Sequence, residues 1–152
     1  MALVRAASGG HKDTVELLLD RGANLEAKDR GGATALVLAA SGGHTDTGGD
    51  IGLVLAASGG HKDTVELLLD WGANLEVKDH GGGTALVRAA SGGHKDTVEL
   101  LLDRGANLEA EDYGGGTALV LAASGGHKDT VELLLDRGAD LEAKDRVSAA
   151  VE

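Results

Sequence analysis

From Lys12 to Arg21 the apolar residues Val15, Leu18 and Leu19 fall at i, i+3 and i+4, which lines them up on one face of a helix with 3.6 residues per turn. Leu17 widens that stripe, and Lys12, Asp13, Glu16 and Asp20 stay in water. Asp13 lies in the first turn, where the helix dipole favours a carboxylate, and Gly22 stands where a left-handed residue ends a helix. Ahead of it, Met1 to Ser8 is a short run of helix formers stopped by Gly9-Gly10. The spacing therefore predicts a helix, a tight turn and a second helix. Ala23 to Ala33 has no helical stripe; with Asp29 and Gly31-Gly32 it reads as an extended, hairpin-like loop. Thr34 is placed to cap the next short helix, Ala35 to Ser41.

The pattern then recurs. His11, His44, His61, His94 and His127 are spaced 33, 17, 33 and 33 residues apart, so the period is 33 and one unit is 16 residues short. Such a period implies a stacked array in which each unit packs on its neighbours. The expected fold is all-α, a single domain in units of about 1–33, 34–52 (truncated), 53–83, 84–116 and 117–152.

Two stretches carry a family resemblance: Thr34-Ala35-Leu36-Val37-Leu38-Ala39-Ala40-Ser41-Gly42-Gly43-His44, and Val65-Glu66-Leu67-Leu68-Leu69-Asp70-Trp71-Gly72-Ala73-Asn74. Together they resemble the ankyrin repeat, and the likeness covers almost the whole chain. It implies a helix-turn-helix solenoid with hairpin loops. The family's helix-opening motif, T-P-L-H, is replaced by Thr-Ala-Leu-Val at 34–37, 84–87 and 117–120. These copies lack the Pro that presets the first turn and the His whose hydrogen bonds tie neighbouring loops.

The truncated unit poses a physical problem. After His44 the chain re-enters the pattern at Leu53, without an outer helix. From Ser41 to Leu53 it must return about 12 Å along a short helix and step about 10 Å sideways, a displacement of roughly 16 Å. Eleven residues can span about 35 Å, so the connection is feasible. Losing a helix uncovers the stripes Val15/Leu18/Leu19 and Val65/Leu68/Leu69, each worth roughly 5–9 kcal/mol at about 1.5–3 kcal/mol per buried side chain. A whole domain is stable by only about 5–15 kcal/mol. The hole must therefore be closed, either by the first and third outer helices leaning together or by a second chain, as a homodimer or domain swap through the gap after His44. The apolar faces expected at both ends read as an internal segment of a longer array, or as a designed or recently duplicated one.

Composition narrows the chemistry. Phe is absent, Trp and Tyr occur once each, and the core must come from Leu, Val and Ala. A formal charge of -11, with Lys and Arg scattered among the acids, argues against a nucleic acid or an anionic membrane as partner. There is no Cys, hence no disulfide and no thiolate nucleophile. No leader-like stretch or membrane-length apolar run is present, so the expected location is intracellular, cytoplasmic with the nucleus left open. The repeated His-Lys-Asp triplets read as turn-steadying residues, the role that the resemblance implies. Copies one unit apart stand roughly 10 Å from each other, too far to share a metal. The G-x-x-x-x-G-K-[ST] spacing of a phosphate loop is missing. No metal, cofactor or enzymatic activity is expected.

Function is expected where the copies differ. The resemblance implies that another protein is bound through the hairpin tips and the concave inner-helix face. The tips carry Arg30, His80, Tyr113 and Arg146; on inner helices Arg5 and Arg88 replace a Leu; Trp71 replaces the Arg found at 21, 104 and 137. Tyr, Trp and Arg are enriched in binding hot spots. His80, Arg88 and Tyr113 form the expected contact patch, with Arg30 and Trp71 as further candidates.

Overall fold

The computed structural model describes residues 2, 11–23, 52–79 and 81–145. The expected helix Ala35 to Ser41, its Thr34 cap, the passage after His44, and Arg5, Arg30, His80 and Arg146 lie outside them. Among the described residues there are seven helices: α1 (Lys12–Asp20), α2 (Gly52–Ser58), α3 (Lys62–Asp70), α4 (Ala85–Ser91), α5 (Lys95–Asp103), α6 (Ala118–Ser124) and α7 (Lys128–Asp136). They contain no strand, only an isolated antiparallel bridge between Glu111 and Thr117.

Helices of seven and nine residues are shorter than the ~12–15 that a helix needs to persist alone in water, so packing must hold them. The inner helices α2, α4 and α6 lie side by side, and so do the outer helices α3, α5 and α7, with each inner helix packed on its own outer helix. The core follows that layering. Leu53, Ala56, Ala57, Leu86, Ala89, Ala90, Leu119 and Ala122 come from the inner layer, and Val65, Leu68, Val98, Leu101 and Leu134 from the outer. Alanine at most interior positions of the inner helices lets their backbones approach closely.

The helix ends behave as their residues dictate. Thr84 and Thr117 have extended backbones, and their Oγ1 atoms accept from Val87 N at 3.4 Å and Val120 N at 3.3 Å. At the end of α1, Gly22 N donates to Leu19 O and Ala23 N to Leu18 O, both at 2.9 Å. This pair of bonds requires a left-handed residue at Gly22, whose φ is +82°.

The repeated His does more than steady its own turn. His94 Nε2 lies 2.9 Å from Ser58 O, and His127 Nε2 lies 3.0 Å from Ser91 O. A carbonyl only accepts, so Nε2–H donates, and each ring ties its unit to the preceding one. The hairpin loops are joined as well, without the family's loop-tying His. Asn107 N donates to Glu76 Oε1 at 2.8 Å, Asp140 N to Glu109 Oε1 at 2.9 Å, and Lys78 Nζ to Glu111 O at 3.2 Å.

The gap left by the short unit is closed within the chain. Helix α1 packs against α3 as α3 packs against α5. Val15 and Leu19 are each 3% exposed, and Val65 and Leu68 are 0% and 2% exposed. Thr64 and Leu67, on the side of α3 that meets the preceding outer helix, are buried by the same token. Leu17 departs from expectation. It holds in α1 the position of Leu67 in α3, yet it is 52% exposed, and Thr14 is exposed beside it. Leu17 thus extends the apolar stripe in sequence but not in the core.

Candidate functional site

The hairpin loop after α3 is built around one carboxylate. Asp79 Oδ1 accepts from Gly81 N and Gly83 N, both at 2.9 Å, and Asp79 N donates to Gly83 O at 3.0 Å. The next loop repeats this with Asp112, which accepts from Gly114 N and Gly116 N at 2.9 Å. Loop closure is therefore encoded by Asp with glycines two to four positions on, whose amides turn inward.

Onto that loop the inner helix α4 adds Arg88. Its Nε reaches Asp79 Oδ2 at 2.5 Å and its Nη2 reaches Asp79 Oδ1 at 2.9 Å, a fork on both carboxylate oxygens. The pair is largely shielded, with side-chain exposures of 26% and 12%. Burial alone would raise the Asp79 carboxyl, but the Arg88 fork, its positive charge and the two glycine amides outweigh it, holding Asp79 below the usual carboxylate range. In the next unit Leu121 takes the place of Arg88 and packs over Gly116 instead.

Tyr113 completes the tip. Its N donates to Gly81 O at 2.8 Å, which fixes one loop tip to the previous one. Its ring lies over Gly82, where an added Cβ would come within 2.5 Å of Tyr113 Cδ1 and the φ of +78° already favours glycine. Cβ atoms on Gly81 and Gly83 would instead meet the Arg88 guanidinium at 2.5 and 2.4 Å. The glycine run 81–83 thus lets Arg88 and Tyr113 both lie against one loop. Tyr113 nevertheless remains 61% exposed. Of the expected patch, the described residues place Arg88 and Tyr113 on one tip, while His80 and Arg30 fall outside them.

Trp71 sits elsewhere, at the end of α3, and is 37% exposed. At the same position in the next two units Arg104 and Arg137 reach back to the preceding outer helix, to Asp70 and Asp103, each at 2.9 Å. Sequence reasoning did not find this ladder, because it links residues 34 apart. The signal was present: an Arg closing outer helices 33 residues apart, and an Asp just before each.

The hollows along the outer layer are shallow. One of about 390 Å³, open to solvent, is lined by Lys12, Gly60, His61, Lys62, Asp63 and Thr64 at the α3 N-terminus. Similar grooves recur at the starts of α5 and α7. They hold one His each and bring no nucleophile against a base. Among the described residues no group of three His, Asp or Glu side chains is arranged to hold a metal ion, and no helix is long and apolar enough to cross a membrane.

A family model described as ankyrin repeats (3 copies) matches residues 53–145, and another, ankyrin repeats (many copies), matches residues 3–47. No curated protein matches the chain.

Proposed function

Because the chain belongs to the ankyrin-repeat family, whose members are in general protein–protein interaction modules, we propose that it is a non-enzymatic scaffold that grips another protein through its hairpin tips and concave inner-helix face. The observation that carries this reading is Tyr113. A large aromatic side chain is 61% exposed at a loop tip whose backbone is anchored to Gly81 O. An aromatic ring held in place before binding adds contact area at little cost in side-chain entropy. Arg88 lies across the same loop, forked on Asp79, and contributes the stem of its side chain to the rim. Arg30 and His80, at the corresponding position of the sequence repeat, are the further candidates for contact. An intracellular partner is part of the proposal, since ankyrin-repeat proteins are often intracellular.

The test is capture by immobilised chain, comparing wild type with Tyr113→Ala. Circular dichroism and melting of the two should coincide, because the ring is mostly in water. A protein retained by wild type and lost with Tyr113→Ala supports the reading; one retained equally by both contradicts it.

A further inference from the structure

The ladder of ion pairs along the outer helices has one exception. Arg104 Nη2 lies 2.9 Å from Asp70 Oδ1 and 3.6 Å from Glu66 Oε1; Arg137 Nη2 lies 2.9 Å from Asp103 Oδ1 and 3.8 Å from Glu99 Oε1. In both seams a guanidinium at the end of one outer helix rests on the Glu/Asp pair of the helix before it. Because the short unit lacks its outer helix, α1 precedes α3 in the same way, and its pair is Glu16 and Asp20. The residue that should supply the guanidinium is Trp71. Among the described residues the side chains of Glu16 and Asp20 take part in no ion pair or hydrogen bond, and both residues are exposed.

We propose that the α1–α3 seam is a docking site for an arginine side chain of a partner protein, taken up on Glu16 and Asp20 where the neighbouring seams hold their own Arg104 and Arg137. The charge complementarity is displayed by the molecule itself, twice. Trp71 adds what those seams lack, an aromatic surface for the flat guanidinium. A lysine fits less well. Its ammonium is a compact, strongly hydrated point charge that does not stack, whereas a guanidinium bridges two carboxylates and lies flat on an indole. This site is separate from the hairpin tip and does not depend on it.

Trp71 is the chain's single tryptophan, so its emission reports on the seam alone. The probes are acetyl-Gly-Arg-Gly-amide and its lysine counterpart, titrated at low salt. The arginine peptide should change the emission saturably and at several-fold lower concentration than the lysine peptide. Glu16→Gln with Asp20→Asn should weaken it about fivefold, as expected for removing exposed charge partners. Glu132→Gln with Asp136→Asn, an equivalent exposed pair on α7 with no aromatic at its seam, should leave it unchanged. Trp71→Arg, followed by anisotropy of a fluorescein-tagged arginine peptide, should abolish binding by filling the site from within. All these side chains are exposed enough for the fold to survive, which circular dichroism checks. The proposal is overturned if the two peptides act alike, if no saturable change occurs, or if the α7 variant loses as much as the α1 variant. That last result would mean only a general attraction to a chain of charge -11.

Discussion

Arg88 and Asp79, nine residues apart, meet through two hydrogen-bonded charges, Nε to Oδ2 at 2.5 Å and Nη2 to Oδ1 at 2.9 Å, and together brace the loop tip against which Tyr113 rests. The equivalent loop around Asp112 closes with Leu121 in place of Arg88. Arg88→Leu should therefore fold, and lose about 1–2 kcal/mol for a charged hydrogen-bonded pair. Urea unfolding at neutral pH measures it; an unchanged midpoint would show that the pair braces nothing.

The same pair sets a dependence on pH. Asp79 is held below its ordinary value, so its contribution is complete above the unfolded carboxylate pKa of about 3.9 and is lost as pH falls through the lower folded value. The stability difference between wild type and Arg88→Leu should stay constant from neutral pH down to about 5 and shrink below about 4. A difference undiminished in strong acid would assign it to packing of the Arg88 stem rather than to charge.

Gly82 and Tyr113 make a paired prediction. Gly82→Ala places a methyl group against the tyrosine ring at a positive φ and should cost about 1–3 kcal/mol. Adding Tyr113→Ala should recover the part due to the clash and leave the part due to the backbone. Thermal melts of the two single variants and the double variant measure the coupling; strict additivity would mean that ring and loop do not touch.

The arginine ladder is exposed, so it should be weak and sensitive to salt. Arg104→Ala should cost under about 1 kcal/mol at low ionic strength and almost nothing in 1 M salt. Trp71→Arg should introduce the same salt dependence at the α1–α3 seam. If Arg104→Ala costs as much in high salt as in low, the side chain contributes through its stem and the ladder is not electrostatic.

Helices, caps and stacking order were legible in the sequence because they repeat. The i, i+3, i+4 stripe of Val65, Leu68 and Leu69, the Thr before the inner helices α4 and α6 and the Gly after each outer helix encode local structure with local physics. What was not legible depends on which unit lies beside which. The fork of Arg88 on Asp79 was not legible because nothing in the linear pattern says that the loop aspartate nine residues earlier turns back to meet the helix. Leu17 read as core because its stripe is the same as that of Leu67; the linear pattern does not say which of the two is covered, and Leu17 is exposed where Leu67 is buried. Trp71 stood out as a departure, but its meaning required knowing that α1 becomes the neighbour of α3, which puts Glu16 and Asp20 where Glu66 and Asp70 stand one seam on.

That adjacency underlies both the closed core and the arginine site. The chain has no Cys and one Trp, so Asp20→Cys labelled with bimane gives a unique reporter that Trp71 quenches on contact. The labelled protein should be strongly quenched, should brighten when Trp71 is replaced by Phe, and should keep the same quenching over a hundredfold dilution. Bright emission indifferent to Trp71, or quenching that fades on dilution, would contradict the closure of the gap within one chain and assign it to a second copy.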